Sequence, residues 1–507
     1  MQTTVLQGAA DRVDADALIV HAFTGVTRAG GPSGDVDRAL GGLISTLVER
    51  GDLKTDVGAV TALFPREGVA ATRVLVVGLG DPRKVDAEAI RRASGEAARK
   101  ARELGARRVA TVIHATGIGD LAPSEAARAT VEGARLGLYR YRPSAADGVG
   151  AADGIGAPVD HGVDELILVE ADAERVEAVR DGVRWGEATA DGVELARDLV
   201  NLPPNVATPT HLANVAEGLA REHGFTVTIG DRAWAEARGM GAFLAVAQGA
   251  GHEPRFIVLE HDPTRGKEAP LVLVGKGVTF DSGGVSIKGR AGMEAMKSDM
   301  AGAAAVLGAM RTLGRLRSPR RVVALVPATE NMLDAHAYRP ADVLRASNGL
   351  TIEVISTDAE GRLLLADALV YAQQLKPKGV VDLATLPGAC VVALGRGTAA
   401  GRFANDDAIA ARVDAAAAAT HERVWPLPLW PEYLDDLASD VADMKNSSGK
   451  PHGGAPVAAA FLQRFVDYPW VHLDIAGMAL RDDARGYQTK GATGFGVRLL
   501  VHWVTHG

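Results

Sequence analysis

The sequence predicts an α/β protein of two domains, a smaller N-terminal one and a larger C-terminal one whose mixed central sheet is flanked by helices. Three observations carry that expectation. Short apolar runs alternate with helix-period segments along most of the chain. The segment Ala173 to Leu199 has no proline and many strong helix formers, so it reads as one long helix joining two domains. The length of 507 residues suits two long α/β domains or three of ordinary size. The boundaries expected on this basis are 1–172 for the first domain, 173–199 for the linking helix and 200–507 for the second domain.

In the first part, Ala17 to Val20 reads as a short buried strand. Val36, Leu40, Leu43, Ile44 and Leu47 then recur on one helical face. Arg73 to Val77 is a second buried strand and ends in Gly78-Leu79-Gly80. A helix is expected from Asp86 to Leu104, a strand over Val109 to Ile113, and a helix over Ser124 to Tyr139. Gly148 to Gly162, rich in Gly, Ala and Asp, reads as a surface loop inside this domain, because the strand Glu165 to Val169 follows it. Asn201-Leu202-Pro203-Pro204-Asn205 stops the linking helix. Beyond it, strands are expected at Phe225–Ile229, Phe256–Glu260, Leu271–Val274, Arg321–Val326, Gly379–Leu383 and Trp470–Ile475. Helices are expected at His211–Glu222, Asp299–Leu313 and Arg362–Gln374, with no internal repeat.

Bulk properties narrow the function. A net charge of −8 argues against a broadly basic surface, so nucleic acid is not an expected partner. The five arginines between Arg311 and Arg321 read as a solvated helix end and loop. One cysteine, Cys390, permits no intramolecular disulfide. The N-terminus lacks a basic segment followed by an apolar one, and no apolar run is long enough to span a bilayer. The expectation is a cytoplasmic protein. Gly78-Leu79-Gly80 lacks the third glycine of a dinucleotide loop and reads as a tight turn. Walker A, H-E-x-x-H and G-x-S-x-G sequences are absent, and His452 reads as an exposed loop histidine.

The chemistry concentrates between Leu271 and Leu363. An apolar strand runs straight into Lys276, and Asp281 follows five residues later before a glycine pair. A lysine at the end of a buried strand needs an anion beside it, or a depressed pKa that leaves a neutral, metal-binding amine. Asp281 stands where the strand gives way to a turn, the end at which open α/β sheets bind ligands. Lys288 comes after the flexible Ser282-Gly283-Gly284. Asp299 precedes a run of small residues and, taken alone, suits an N-cap. In Ser356-Thr357-Asp358-Ala359-Glu360-Gly361-Arg362-Leu363 an extended backbone would point Asp358 and Glu360 to one side. Arg362 opens a helix whose N-terminus favours an anion. Alone, each piece is ordinary. Together, three aspartates, one glutamate and a neutral lysine suit divalent ions such as Zn²⁺, Mn²⁺ or Mg²⁺. Two such ions about 3.5–4 Å apart activate one water and polarise a carbonyl. Lys288 and Arg362 remain as positive groups for an oxyanion and a bound anion.

These residues resemble the leucyl aminopeptidase family, the cytosol aminopeptidases. The likeness rests on VGKGVTFDSGGVSIK (274–288), MKSDMAGAA (296–304) and STDAEGRL (356–363). RDLVNLPPNVATP (197–209), GACVVALG (388–395), WVHLDIAG (470–477) and ATGFGVRLLV (492–501) support it. It covers the chain from residue 197 onward, and the first part shows only a general likeness to the family's smaller N-terminal domain.

The resemblance implies that Lys276, Asp281, Asp299 and Glu360 hold the tighter of two metal ions, Mn²⁺ or Zn²⁺. Asp281 and Glu360 would bridge to the second, which Asp358 completes. It further implies Lys288 as the electrophile and Arg362 as the holder of a bicarbonate. Met296, Thr385, Leu386, Gly388 and Ala476 would line the pocket for the N-terminal side chain. The implied substrates are peptides with a free N-terminus, and the implied assembly is a homohexamer. Ser298, Ala301, Ser356, Pro387 and Ala479 depart from the family's usual residues, which bears on specificity and loop shape. Two alternatives stand beside this reading. A two-metal phosphoesterase would draw on histidines, and the motifs hold none. A non-catalytic, regulatory or binding member would lack one of the seven charged positions, and all are present.

Overall fold

Apolar runs without alternation form strands covered on both faces, and the computed structural model shows two sheets built from them. It describes residues 1–115, 121–141 and 162–506. All of the loop expected at Gly148 to Gly162 except Gly162 lies outside the described residues.

The first sheet has six strands: β1 (Gln2–Gln7), β2 (Ala17–Ala22), β3 (Val60–Leu63), β4 (Val74–Gly78), β5 (Arg108–Val112) and β6 (Glu165–Glu170). Their order is β1-β6-β5-β2-β4-β3. All pairs are parallel except β3 with β4. The sequence reading missed β1 and β3, the two edge strands, whose half-exposed residues carry no apolar run. The tight turn expected at Gly78-Leu79-Gly80 is not found: Gly78 ends β4, and Leu79 N–H and Gly80 N–H donate to Ala22 O at 3.0 Å and Thr55 O at 2.9 Å, partners far along the chain. Asp86 caps the helix Ala87–Glu103 by accepting from Ala89 N–H.

The helix expected after Ala173 runs over Val176–Asn201. The chain divides inside it: one unit extends to Ala190 and takes back Asp483–Lys490, while the other holds Asp191–Asp482 and Gly491–Gly507. No feature of the sequence announces that returning segment.

The second unit contains β7 (Thr226–Gly230), β8 (Arg255–His261), β9 (Leu271–Gly275), β10 (Gly277–Asp281), β11 (Val322–Asn331), β12 (Val343–Arg345), β13 (Thr351–Glu353), β14 (Gly379–Ala384), β15 (Ala400–Ala404), β16 (Val424–Pro426), β17 (Met444–Lys445) and β18 (Trp470–Asp474). The main sheet runs β16-β15-β18-β14-β9-β11-β8-β7, with β10 also on β11, and β12-β13-β17 form a small separate sheet. The centre is parallel, whereas β8 and β15 join antiparallel, so the sheet is mixed as expected. The arginine cluster begins on the helix Ala301–Leu316 and continues through the loop before β11, where Arg321 pairs with Glu260 at 2.7 Å.

The small residues of Met300-Ala301-Gly302-Ala303 have a steric reason. The helix Ala301–Leu316 lies so close to the sheet that a Cβ on Gly302 would collide with the Leu383 carbonyl, and one on Gly275 would lie 2.7 Å from Ala303 N. Ala303 N–H donates to Lys276 O at 3.0 Å, and Lys276 N–H to Leu383 O at 3.1 Å. Helix and strand ends are thereby joined at Lys276. Gly302→Ala is expected to destabilise the protein by about 1–3 kcal/mol through overpacking, read from a urea-unfolding midpoint. An unchanged midpoint would show that the helix can simply shift.

Candidate functional site

Lys276 stands between β9 and β10, and its side chain is only 3% exposed. An ammonium has three donors, and here its charge is met by two hydrogen bonds and a further ion pair. Nζ lies 2.9 Å from Asp299 Oδ1, 2.7 Å from Thr385 O and 2.8 Å from Glu360 Oε1. Burial works to lower the lysine pKa, but Asp299, Glu360 and Asp281 overcome it and the net direction is up. Of the two states the sequence allowed, the paired cation is the one found in this arrangement. Gly361 makes room for it, since a Cβ there would lie 2.6 Å from Nζ.

Asp299 does not cap the helix that follows. The N-cap is Met300, without a side-chain bond. The Asp299 carboxylate turns to Lys276 and accepts from Thr385 Oγ1 at 2.6 Å. Its other oxygen, Oδ2, is buried 2.8 Å from Nζ but off the donor direction, and it receives no hydrogen bond. Burial pushes the Asp299 pKa well up, with Lys276 opposing.

Asp281 ends β10 after a break in register. Its Oδ1 accepts from Gly283 N–H at 2.9 Å and from Asn331 Nδ2 at 2.8 Å. Its Oδ2 is 2.7 Å from Lys288 Nζ. The turn between them needs Gly283 and Gly284 at φ +87° and +63°, backbone that glycine adopts without strain. Lys288 also pairs with Asp358. Burial, then Glu360, push Asp281 up to about 6. Burial also raises Asp358 against the pull of Lys288. Glu360 goes the other way: burial works to raise it, but Lys276 and Lys288 together overcome burial and the net direction is down.

The segment carrying Asp358 and Glu360 is a turn, not the extended strand expected. β13 stops at Glu353. Asn446 then takes over the backbone: its Oδ1 accepts from Ile355 N–H at 2.8 Å, and its Nδ2 donates to Ser356 O at 2.7 Å. Asn331 Nδ2 and Tyr338 Oη donate to Thr357 O at 2.9 and 2.8 Å. The two carboxylates still converge, because carboxylate oxygens of Asp281, Asp358 and Glu360 all lie within 4.8 Å of one another. Arg362 is the second residue of the helix Gly361–Gln374. It is buried, donates from Nη1 to Asn446 O at 2.8 Å, and leaves Nε without a partner. Burial lowers its pKa to about 10, with Glu360 and Asp474 opposing.

All seven charged residues singled out in the sequence line one cleft of about 720 Å³. Met296, Thr385, Leu386, Gly388 and Ala476 line it too, as do Ser298, Ser356, Pro387 and Ala479. Asn331, Tyr338 and Asn446 were missed. Asn331 had a signal, a polar residue closing the apolar strand β11, while Asn446 in Asn446-Ser447-Ser448-Gly449 had none. The donor set fits hard or borderline divalent cations. It consists of clustered carboxylates, three of which burial pushes toward protonation, with a buried Asp299 oxygen that no donor serves.

Comparison with known proteins agrees with this chemistry. Residues 194–501 match the family model described as the cytosol aminopeptidase family, catalytic domain, and residues 20–143 match the same family's N-terminal domain. A probable cytosol aminopeptidase of Roseiflexus castenholzii is 46% identical over 90% of this chain and 92% of its own. One from Geobacter sulfurreducens is 44% identical over 92% of each. Among solved structures, a tomato leucine aminopeptidase mutant superposes with a TM-score of 0.86 at 35% identity, covering 100% of this chain and 97% of that one. The bottromycin maturation enzyme BotP, in complex with Mn, gives 0.83 at 36% identity, covering 97% and 99%. The chain belongs to the cytosol aminopeptidase family. It is an aminopeptidase, a hydrolase of peptides. Among the described residues no helix is long and apolar enough to cross a membrane.

Lys276→Met is expected to destabilise the protein by about 3–5 kcal/mol, because it strands buried carboxylates without their cation. Urea unfolding in the presence of chelator measures this; a loss below about 1 kcal/mol would mean the carboxylates find other partners.

Proposed function

We propose that this chain is a two-metal aminopeptidase that releases the N-terminal residue of peptides, with a leucine-like but broad preference. The convergence of Asp281, Asp358 and Glu360 beside Asp299 and Lys276 carries the reading. The manganese complex of a relative that covers almost the whole chain supports it.

Lys276, Asp281, Asp299 and Glu360 would hold one ion, with Lys276 releasing its proton to serve as a ligand. Asp281 and Glu360 would be shared with the second, and Asp358 would complete it. Mn²⁺ or Zn²⁺ there would supply Lewis acidity toward the scissile carbonyl and the attacking water. Lys288 is 22% exposed on the cleft side of Asp281. Burial works to lower its pKa, but Asp281, Asp358 and Glu360 together raise it, so it would stay protonated and could neutralise the oxyanion that forms as the carbonyl is attacked. Arg362, with Nε uncommitted, would hold bicarbonate as the proton acceptor.

Met296, Thr385, Leu386, Gly388 and Ala476 would receive the N-terminal side chain. Thr385 offers it a methyl group, because its hydroxyl is engaged by Asp299. The substrate's free α-amine would face the Asp358 side. Cytoplasmic location and a homohexamer belong to the same proposal and rest on likeness to the family.

The test is hydrolysis of leucine p-nitroanilide with Mn²⁺, Zn²⁺ or chelator. Activity should vanish with chelator and return with metal. Asp281→Ala and Lys288→Ala should each lower kcat/KM about a hundredfold or more. Activity indifferent to chelator, or full turnover by both variants, contradicts the mechanism. N-acetyl-leucine p-nitroanilide should remain intact; its cleavage would exclude recognition of the free amine.

A further inference from the structure

Beyond the seven residues of the reactive centre, the cleft holds two other charged side chains, Arg396 and Lys450. Both are cations, and among the described residues no further acid lines this part of the cleft. Lys450 is paired with Asp436. Arg396 is exposed and has neither a hydrogen bond nor an ion pair with any described residue.

The position of Arg396 is set by its backbone. It sits in the loop after the helix Gly388–Leu394, between Gly395 at φ +81° and Gly397 at φ +67°. Gly397 N–H donates to Gly477 O at 2.8 Å. Gly395 and Gly477 approach so closely that a Cβ on Gly477 would lie 2.9 Å from the Gly395 carbonyl oxygen. Arg396 is therefore anchored close in the chain fold to Ala476 and just past the helix that Gly388 opens, two of the residues expected to receive the N-terminal side chain. The lining on this side combines the small residues Gly388, Ala389, Ala476 and Ala479 with Val391 and Leu480. The small ones leave length for a substrate side chain to extend.

A concave, partly apolar wall with one unpaired cation and no competing acid favours an anion. We propose that Arg396 extends the N-terminal side-chain subsite to accept a carboxylate, so that peptides beginning with glutamate are substrates alongside leucine-like ones. This rests on the aminopeptidase reading above. Arg396 would act by binding the side chain, with no part in bond cleavage. Its guanidinium offers a planar fork that matches a carboxylate.

The test compares glutamate, glutamine and leucine p-nitroanilides on the metal-loaded enzyme, alongside Arg396→Gln and Arg396→Lys. These substrates carry no residue after the scissile bond, so only the N-terminal side chain is read. Glutamate and glutamine have nearly the same shape and differ in charge. Each Glu-to-Gln ratio of kcat/KM is taken within one protein, so differences in folding or metal loading cancel. The ratio should fall about fivefold in Arg396→Gln, the scale of one partly screened ion pair. Arg396→Lys should keep most of it. Added salt should lower the ratio in the unsubstituted enzyme and leave that of Arg396→Gln nearly unchanged. An unchanged ratio in Arg396→Gln, or a glutamate anilide left intact while leucine anilide is cleaved, overturns the assignment. If the unsubstituted enzyme cleaves none of the three, the aminopeptidase reading falls and the Arg396 assignment falls with it.

Discussion

One buried ammonium organises the second unit. Lys276 gathers Asp299, which precedes one helix, Glu360, which precedes another, and the Thr385 carbonyl, which follows β14. Its main chain is also committed, through Leu383 O and Ala303 N–H. A charge so far from water is tolerable only with near-complete pairing, so the elements that supply the partners are held in register with one another. The close helix contact at Gly302 and the missing Cβ at Gly361 follow from the same demand for space around that side chain. In this sense the candidate site and the core of the sheet are one piece of packing.

A second layer of neutral side chains supports the charged one. Asn331 ties Asp281 to the carbonyl of Thr357, and Asn446 ties the backbone before Asp358 to Arg362. Neither asparagine carries charge, yet each satisfies backbone groups that a regular strand would otherwise pair. Such outer partners orient the groups that do the chemistry.

The sequence made the parallel centre of each sheet legible because those strands are continuous apolar runs. The edge strands β1 and β3 were not, since half-exposed edges have no such run. The charged constellation was legible because its residues fall in three short motifs. What joins those motifs was not: the approach of Lys276 to Thr385 and the role of Asn446 depend on residues about 85–110 positions apart. The turn at Asp358 was misread as extended because a side chain, not a neighbouring strand, satisfies its backbone. Asp299 resembled a cap for the opposite reason: a local role was available to it and a distant lysine outcompeted that role.

The short segment Asp483–Lys490 belongs to the first unit although it lies near the end of the chain. Gly486 N–H donates to Glu96 Oε1 at 2.8 Å, and the Arg91 guanidinium lies 5.7 Å from the centre of the Tyr487 ring. A ribosome therefore delivers this part of the N-terminal unit only after residues 191–482 of the second unit have been made. Domains usually mature in order of synthesis. Here the unit that emerges first stays incomplete through the synthesis of most of the second, and its surface around Arg91 and Glu96 waits, unsealed, for residues 483–490.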